Sequence, residues 1–159
     1  MKIMGIDPGL RFTGWGVIEF SNNQFVHIAN GTIKANVKNS LAERLAEIYK
    51  GLTTIIKQYT PERVAVEEVF VNINPESTLK LGQARGIALL VPSLFNIPVF
   101  EYSPNLIKKS VVGVGHASKE QIQMMVSILL NKPLIDSEHS GDALAMAICH
   151  AHNNNTLVK

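Results

Sequence analysis

Residues 4–20, MGIDPGLRFTGWGVIEF, constrain the fold more than any other stretch of the chain. An apolar run meets a carboxylate, Asp7, stops at a Pro8-Gly9 turn, and gives way to a second strand-like run rich in glycine. Lys2–Asp7 therefore reads as a buried strand and residues 12–20 as its neighbour. Gln24–Lys34 follows as a third strand across the hairpin-type connection Ser21-Asn22-Asn23. A carboxylate at such a strand end has three readings: a turn residue, a metal ligand, or a neighbour of a bound nucleotide phosphate.

After these three antiparallel strands the period changes. Ser40 and Glu43 form a capping box, and Leu41, Leu45, Ile48, Leu52, Ile55, Ile56 and Tyr59 recur at helical spacing, which predicts a helix over Leu41–Tyr59 ended by Pro61. RVAVEEVF, residues 63–70, reads as a strand. Asn74-Pro75 then starts a second helix carrying Leu79, Leu81, Ala84, Ile87, Ala88 and Val91, with Gly82 and Gly86 one turn apart and Pro92 as a kink or stop. Residues 97–102 form a fifth strand, and Ser103-Pro104 starts a short helix. Ser118 and Gln121 box the start of another helix reaching about Leu130, and a last helix begins near Ser140 with a seam of Ala143, Ala147 and Ala151. This order describes a mixed α/β sheet, whose sites form at the carboxyl ends of central strands. One domain over residues 1–152 and a short polar tail over 153–159 are expected.

Composition narrows the class. A chain of 159 residues, 46% hydrophobic with mean hydropathy +0.12, is long enough to bury a large core without a metal or disulfide staple. No apolar run spans a bilayer and no signal-peptide pattern opens the chain, so a cytoplasmic location is expected. Cys149 is the only cysteine and reads as a buried thiol. The formal charge of +2 hints only weakly at nucleic acid, but committing some of the 13 acids to a metal would leave the remaining surface distinctly basic.

Chemistry concentrates in Asp7, the pair Glu67-Glu68 and His139-x-x-Asp142. Two acids inside an apolar strand face opposite sides, and burying either without a partner costs several kcal/mol, on the order of a lost charge interaction. Strand parity does not choose between them. His139 and Asp142, three apart, share a helix face and can reach one point, although N-cap chemistry would also explain them. Oxygen-rich sites with an imidazole suit Mg²⁺ or Mn²⁺, and two such ions about 4 Å apart can activate a water and stabilise the leaving oxygen of a phosphodiester. His150 and His152, two apart, share no helix face and read as solvated; Trp15 reads as strand packing.

The blocks GIDPGLRFTGWGV, AVEEVF, TLKLGQARG, VVGVGHASKEQIQ and GDALAMAI, in this order and spacing, resemble the bacterial RuvC family of Holliday junction resolvases over residues 4–152. The resemblance implies a ribonuclease H-like fold with a five-stranded mixed sheet flanked by helices. It also implies a homodimer that nicks two opposed strands of four-way junction DNA, leaving 5′-phosphate and 3′-hydroxyl ends. Position by position, Asp7, Glu67 and Asp142 match the family's metal-binding acids. His139 stands where some members carry a further aspartate, and together they would hold two Mg²⁺ ions, with Mn²⁺ able to substitute. Phe70 matches an aromatic that stacks at the junction, Lys108 and Lys119 match basic residues needed for cleavage, and Lys80, Arg85 and Lys109 would add phosphate contacts. Partnership with the RuvA and RuvB branch-migration proteins and a preference for T-rich cut sites are also implied. The basic tail of some relatives is not expected after the last helix. The rival readings are a structure-selective DNA-binding protein without cleavage, a ribonuclease H-type nuclease on RNA–DNA hybrids, and an ATP-binding protein. The last would need a second phosphate loop and a second domain for which 159 residues leave no room.

Overall fold

The computed structural model describes residues 1–69, 74–132 and 137–155. Strands β1 (Lys2–Asp7), β2 (Phe12–Ser21), β3 (Gln24–Lys34), β4 (Arg63–Glu67) and β5 (Val99–Tyr102) form one sheet in the order β3-β2-β1-β4-β5. β2 pairs antiparallel with both β1 and β3, whereas β4 runs parallel to β1 and to β5. β1 and β4 are central and almost wholly apolar, as strands covered on both faces must be.

Alternation along β1 sends Met4 and Ile6 to one face and Ile3 and Gly5 to the other. Helices α1 (Leu41–Tyr59) and α2 (Pro75–Leu94) cover the first face through Ile48, Leu52, Ile56, Ala84 and Ala88. The second face carries α3 (Pro104–Val112), α4 (Lys119–Leu129) and α5 (Glu138–Asn155), packed through Ile107, Ile122, Leu144, Met146 and Ile148. Each cap sits where the sequence places it, although Ser40 and Glu43 show only the first bond of the expected box. The Ser40 hydroxyl accepts from Glu43 N–H, Asn74 accepts from Glu76 and Ser77 N–H, and Ser118 with Gln121 forms a reciprocal box.

Several boundaries differ from the sequence reading for identifiable reasons. β4 stops at Glu67 rather than running to residue 70, because its partner β5 ends at Tyr102 where Ser103 caps α3; the last bond between them is Glu68 N–H to Tyr102 O at 2.8 Å. β5 starts two residues late because Pro98 has no N–H to donate. Pro92 does not break α2, since its missing donor falls in the last turn, which closes at Leu94. α5 begins before Ser140, with the Ser137 hydroxyl accepting from Ser140 N–H, and continues to Asn155, past the expected start of the tail at 153. His150 is fully buried, not solvated. Its Nδ1 meets the Tyr102 hydroxyl at 2.7 Å and its Nε2 the Asn154 amide at 3.1 Å, and burial pushes its pKa down to about 4. Cys149 is a buried free thiol. Among the described residues no helix is long and apolar enough to cross a membrane.

α5 packs against the glycines of β1 and β2 so closely that no side chain would fit between them. A Cβ on Gly5 would lie 1.7 Å from the Ala143 carbonyl oxygen, one on Gly14 2.1 Å from that of His139, and one on Gly16 2.5 Å from the Leu144 side chain. The glycines of TGWGV thus admit a helix. Gly5→Ala, which sets a methyl group against backbone that cannot rotate away, is expected to lower stability by about 3 kcal/mol. Urea unfolding of the variant and the parent checks this.

Candidate active site

The parallel register Ile6↔Val66 brings the next residues, Asp7 and Glu67, side by side at the carboxyl ends of the two central strands. Both alternate with residues that face α5, Gly5 and Ala65, so both side chains emerge on the α5 side. Glu68 is exposed. Above them, the glycine-seated first turns of α5 carry His139 and Asp142. His139 Nδ1 lies 3.5 Å from Asp7 Oδ2, and its ring stacks on Phe12 with centroids 5.3 Å apart.

α4 supplies the other wall. Gln123 Nε2 donates to Asp142 Oδ1 at 3.0 Å, and Lys119 Nζ lies 3.3 Å from Asp142 Oδ2 while also pairing with Glu138. A cleft of about 250 Å³ opens here, lined by Glu67, Lys108, Lys119 and Asp142 against an apolar side that includes Ile107 and Ile122.

Three carboxyls in so small a space disturb one another. Burial, then the Asp142 charge, pushes the Asp7 pKa from 3.8 to about 6, against the opposing pull of His139. Burial, then Asp7 and Asp142, pushes Glu67 from 4.5 to about 7, with Lys108 and Lys119 opposing. Burial also raises Asp142, opposed chiefly by Lys119, and the Glu138 contact raises Lys119 in turn.

The donor chemistry fits a hard divalent cation: carboxylate oxygens with one imidazole, the acids raised in pKa by burial and then by a mutual repulsion that a cation would relieve. As the side chains stand, Asp142 is engaged by Gln123 and Lys119. Among the described residues no three His, Cys, Asp or Glu groups are yet gathered closely enough to hold an ion.

The expected DNA-contacting residues separate. Lys108 and Lys119 share the cleft with the acids, and Lys109 faces a different hollow with Asn105 and His116. Lys80 is exposed on α2 and paired to Glu76 at 3.1 Å. Arg85 is not a free surface cation: its Nε donates to the Glu67 carbonyl at 3.1 Å and its guanidinium pairs with Glu101. Phe70 lies outside the described residues. The sequence reading missed Phe12, Gln123 and Glu138. Gln123 was within reach, because it lies four residues after Lys119 on the same face of α4.

The 3-2-1-4-5 mixed sheet, with acids at the ends of its central strands and a helix crossing above them, defines a ribonuclease H-like α/β protein. A family model, crossover junction endodeoxyribonuclease RuvC, matches residues 3–150, and the chain belongs to that family of metal-dependent nucleases. It is 57% identical over 151 residues to crossover junction endodeoxyribonuclease RuvC of Bartonella henselae, covering 95% of this chain and 89% of the relative. It is 52% identical over 159 residues to that of Paramagnetospirillum magneticum, covering 100% and 96%. Its fold matches Thermus thermophilus RuvC in complex with Holliday junction substrate at TM-score 0.92 and 32% identity, covering 98% of this chain and 96% of that one.

The raised carboxyl pKa values have a consequence for stability. A carboxyl that binds its proton more tightly when folded does not oppose folding below its unfolded pKa, near 4. It opposes folding increasingly as pH rises through its folded pKa, about 6 for Asp7 and about 7 for Glu67. These two carboxyls should therefore cost the metal-free protein stability between pH 4 and 8, against the gain from His150, whose lowered pKa favours folding as pH rises from 4 to 6.5. Asp7→Asn should be more stable than the parent at pH 8 by about 1–3 kcal/mol and show little gain at pH 4. Urea titrations in EDTA at the two pH values measure both quantities.

Proposed function

We propose that this chain resolves four-way DNA junctions as a metal-dependent endonuclease, acting as a homodimer that makes paired symmetric nicks and leaves 5′-phosphate and 3′-hydroxyl ends. The observation that carries the mechanism is the convergence of Asp7, Glu67 and Asp142 on one cleft at the ends of β1 and β4, in a chain of this family. Asp7, Glu67, His139 and Asp142 would hold two ions, Mg²⁺ with Mn²⁺ able to substitute. When bound, these would supply a Lewis acid for the scissile phosphate and an acidified water. His139 in place of a fourth carboxylate removes one negative charge and favours Mn²⁺ relative to an all-carboxylate set.

The remaining steps belong to the chain's own residues. Lys119 sits at the first turn of α4, where its ammonium and the helix N–H groups together favour a phosphate. It neutralises Asp142 in the free protein and would turn to the phosphate when DNA enters. Lys108, across the cleft, would meet the same backbone, and Lys80, Lys109 and Phe70 would extend the contact. These contacts give affinity for DNA in general; selectivity for a junction would come from the spacing of two sites in the dimer and the strand distortion it imposes. The outer face of α2 supports a second copy there: Leu79, Leu90 and Leu94 are 64%, 47% and 57% exposed, and among the described residues nothing lies within 4 Å of where a Cβ on Gly82 or Gly86 would be. Residues 1–152 would act as one nuclease domain in the bacterial cytoplasm, receiving junctions from the RuvA and RuvB branch-migration proteins.

The test is incubation with a mobile four-way junction, a linear duplex and an RNA–DNA hybrid, each with Mg²⁺, Mn²⁺ or EDTA. Paired symmetric nicks in the junction alone, absent in EDTA, are expected; equal cutting of the duplex or hybrid contradicts the reading. Asp7→Asn should retain junction binding while its cleavage rate falls more than about 100-fold, beyond what outer-shell changes alone produce.

A further inference from the structure

The Arg85 side chain is largely buried, 16% exposed, and both of its contacts run to the sheet. Glu67 is the last residue of β4, so its carbonyl has run out of sheet ladder and needs a donor from elsewhere. Arg85 Nε supplies it at 3.1 Å. The other arm of the guanidinium pairs with Glu101 of β5, which stands opposite Val66 in the sheet. One planar side chain thus reaches from α2 to the ends of two strands. It grips the backbone of Glu67 from the face opposite the cleft into which the Glu67 carboxylate projects.

Resting on the nuclease reading above, we propose that Arg85 is a positioning residue for Glu67, acting as a backbone clamp completed by Glu101, and not a phosphate contact. The clamp matters because Glu67 stands at a strand end beside two other acids whose charges repel it, and among the described residues the last bond between β4 and β5 is the one from Glu68 N–H. A fork of fixed geometry suits the task, since one N–H must meet a carbonyl while others meet a carboxylate. A lysine ammonium on a flexible stem keeps the charge and loses the fork.

Three variants, Arg85→Gln, Arg85→Lys and Glu101→Gln, separate clamp from contact. Junction affinity is measured by fluorescence anisotropy in EDTA across a salt series, cleavage by single-turnover and steady-state rates in Mg²⁺, and folding by thermal melting. The clamp predicts that all three retain the parental dissociation constant and salt slope while kcat falls about 10- to 100-fold with KM little changed, the range seen when outer-shell support is removed. Glu101→Gln is the decisive member, because it removes a negative charge and would improve or leave unchanged any purely electrostatic grip on DNA. Parental cleavage in Glu101→Gln, or a salt slope reduced by about one in Arg85→Gln, overturns the clamp. A parent that does not cut junctions overturns the nuclease reading instead, and a cutting parent with unaltered variants overturns the clamp alone.

Discussion

The seating of α5 on side-chain-free backbone is the constraint on which the rest of this structure depends. Gly5, Gly14 and Gly16 let the helix approach β1 and β2 until the Ala143 and His139 carbonyls and the Leu144 side chain occupy the space where Cβ atoms would be. This close approach carries two structural consequences. The alanine-rich stretch Ala143–Ala147–Ala151 and the side chains of Leu144 and Ile148 bury completely against the sheet, and the first turn is held above the strand ends. His139 and Asp142 therefore meet Asp7 and Glu67 because of packing that lies mostly outside the site.

Bringing the acids together works against the folded state. Burial and mutual repulsion hold Asp7 and Glu67 well above ordinary carboxyl values, and Lys119 and Lys108 offset only part of that. A chain selected for stability alone would place apolar side chains at such strand ends, as it does at Ile6 and Val66 one residue earlier. Perturbed carboxyls gathered in a cleft are the usual mark of a site whose charge is balanced by what binds there. Here the neutral-pH balance calls for cations: Lys108 and Lys119 supply part of it, and the metal ions of the proposed mechanism would supply the rest.

Much of the fold was legible in the sequence because local signals agree with it. β1, β3 and α1 have their expected bounds, since alternation, the hairpin turn and the Ser40 cap each specify an end without help from distant residues. β4 was read too long because its end is set by β5, a partner 35 residues away in register terms from Glu67 to Tyr102. The two histidines of α5 show the same limit. Spacing places His150 and His152 on different faces, but only the tertiary packing against Phe100 and Tyr102 says that His150 is the buried one. Glu67 and Glu68 were indistinguishable by parity and were separated by family likeness; the sheet adds a physical reason, because Glu67 shares the α5 face with Ala65. Arg85 was read as a surface cation, and nothing in LGQARG reveals that a strand end is waiting for its donor.

The proposed mechanism requires that Asp7 and Glu67, raised in pKa by burial and then by mutual repulsion, be relieved by a divalent cation. Carbon-13 NMR titration of the Asp and Glu side-chain carboxyls, in EDTA and then in saturating Mg²⁺, tests it most directly. Titration near 6 for Asp7 and near 7 for Glu67 is expected without metal, with a marked fall of both when Mg²⁺ is present. Ordinary carboxyl values that do not respond to Mg²⁺ would contradict it.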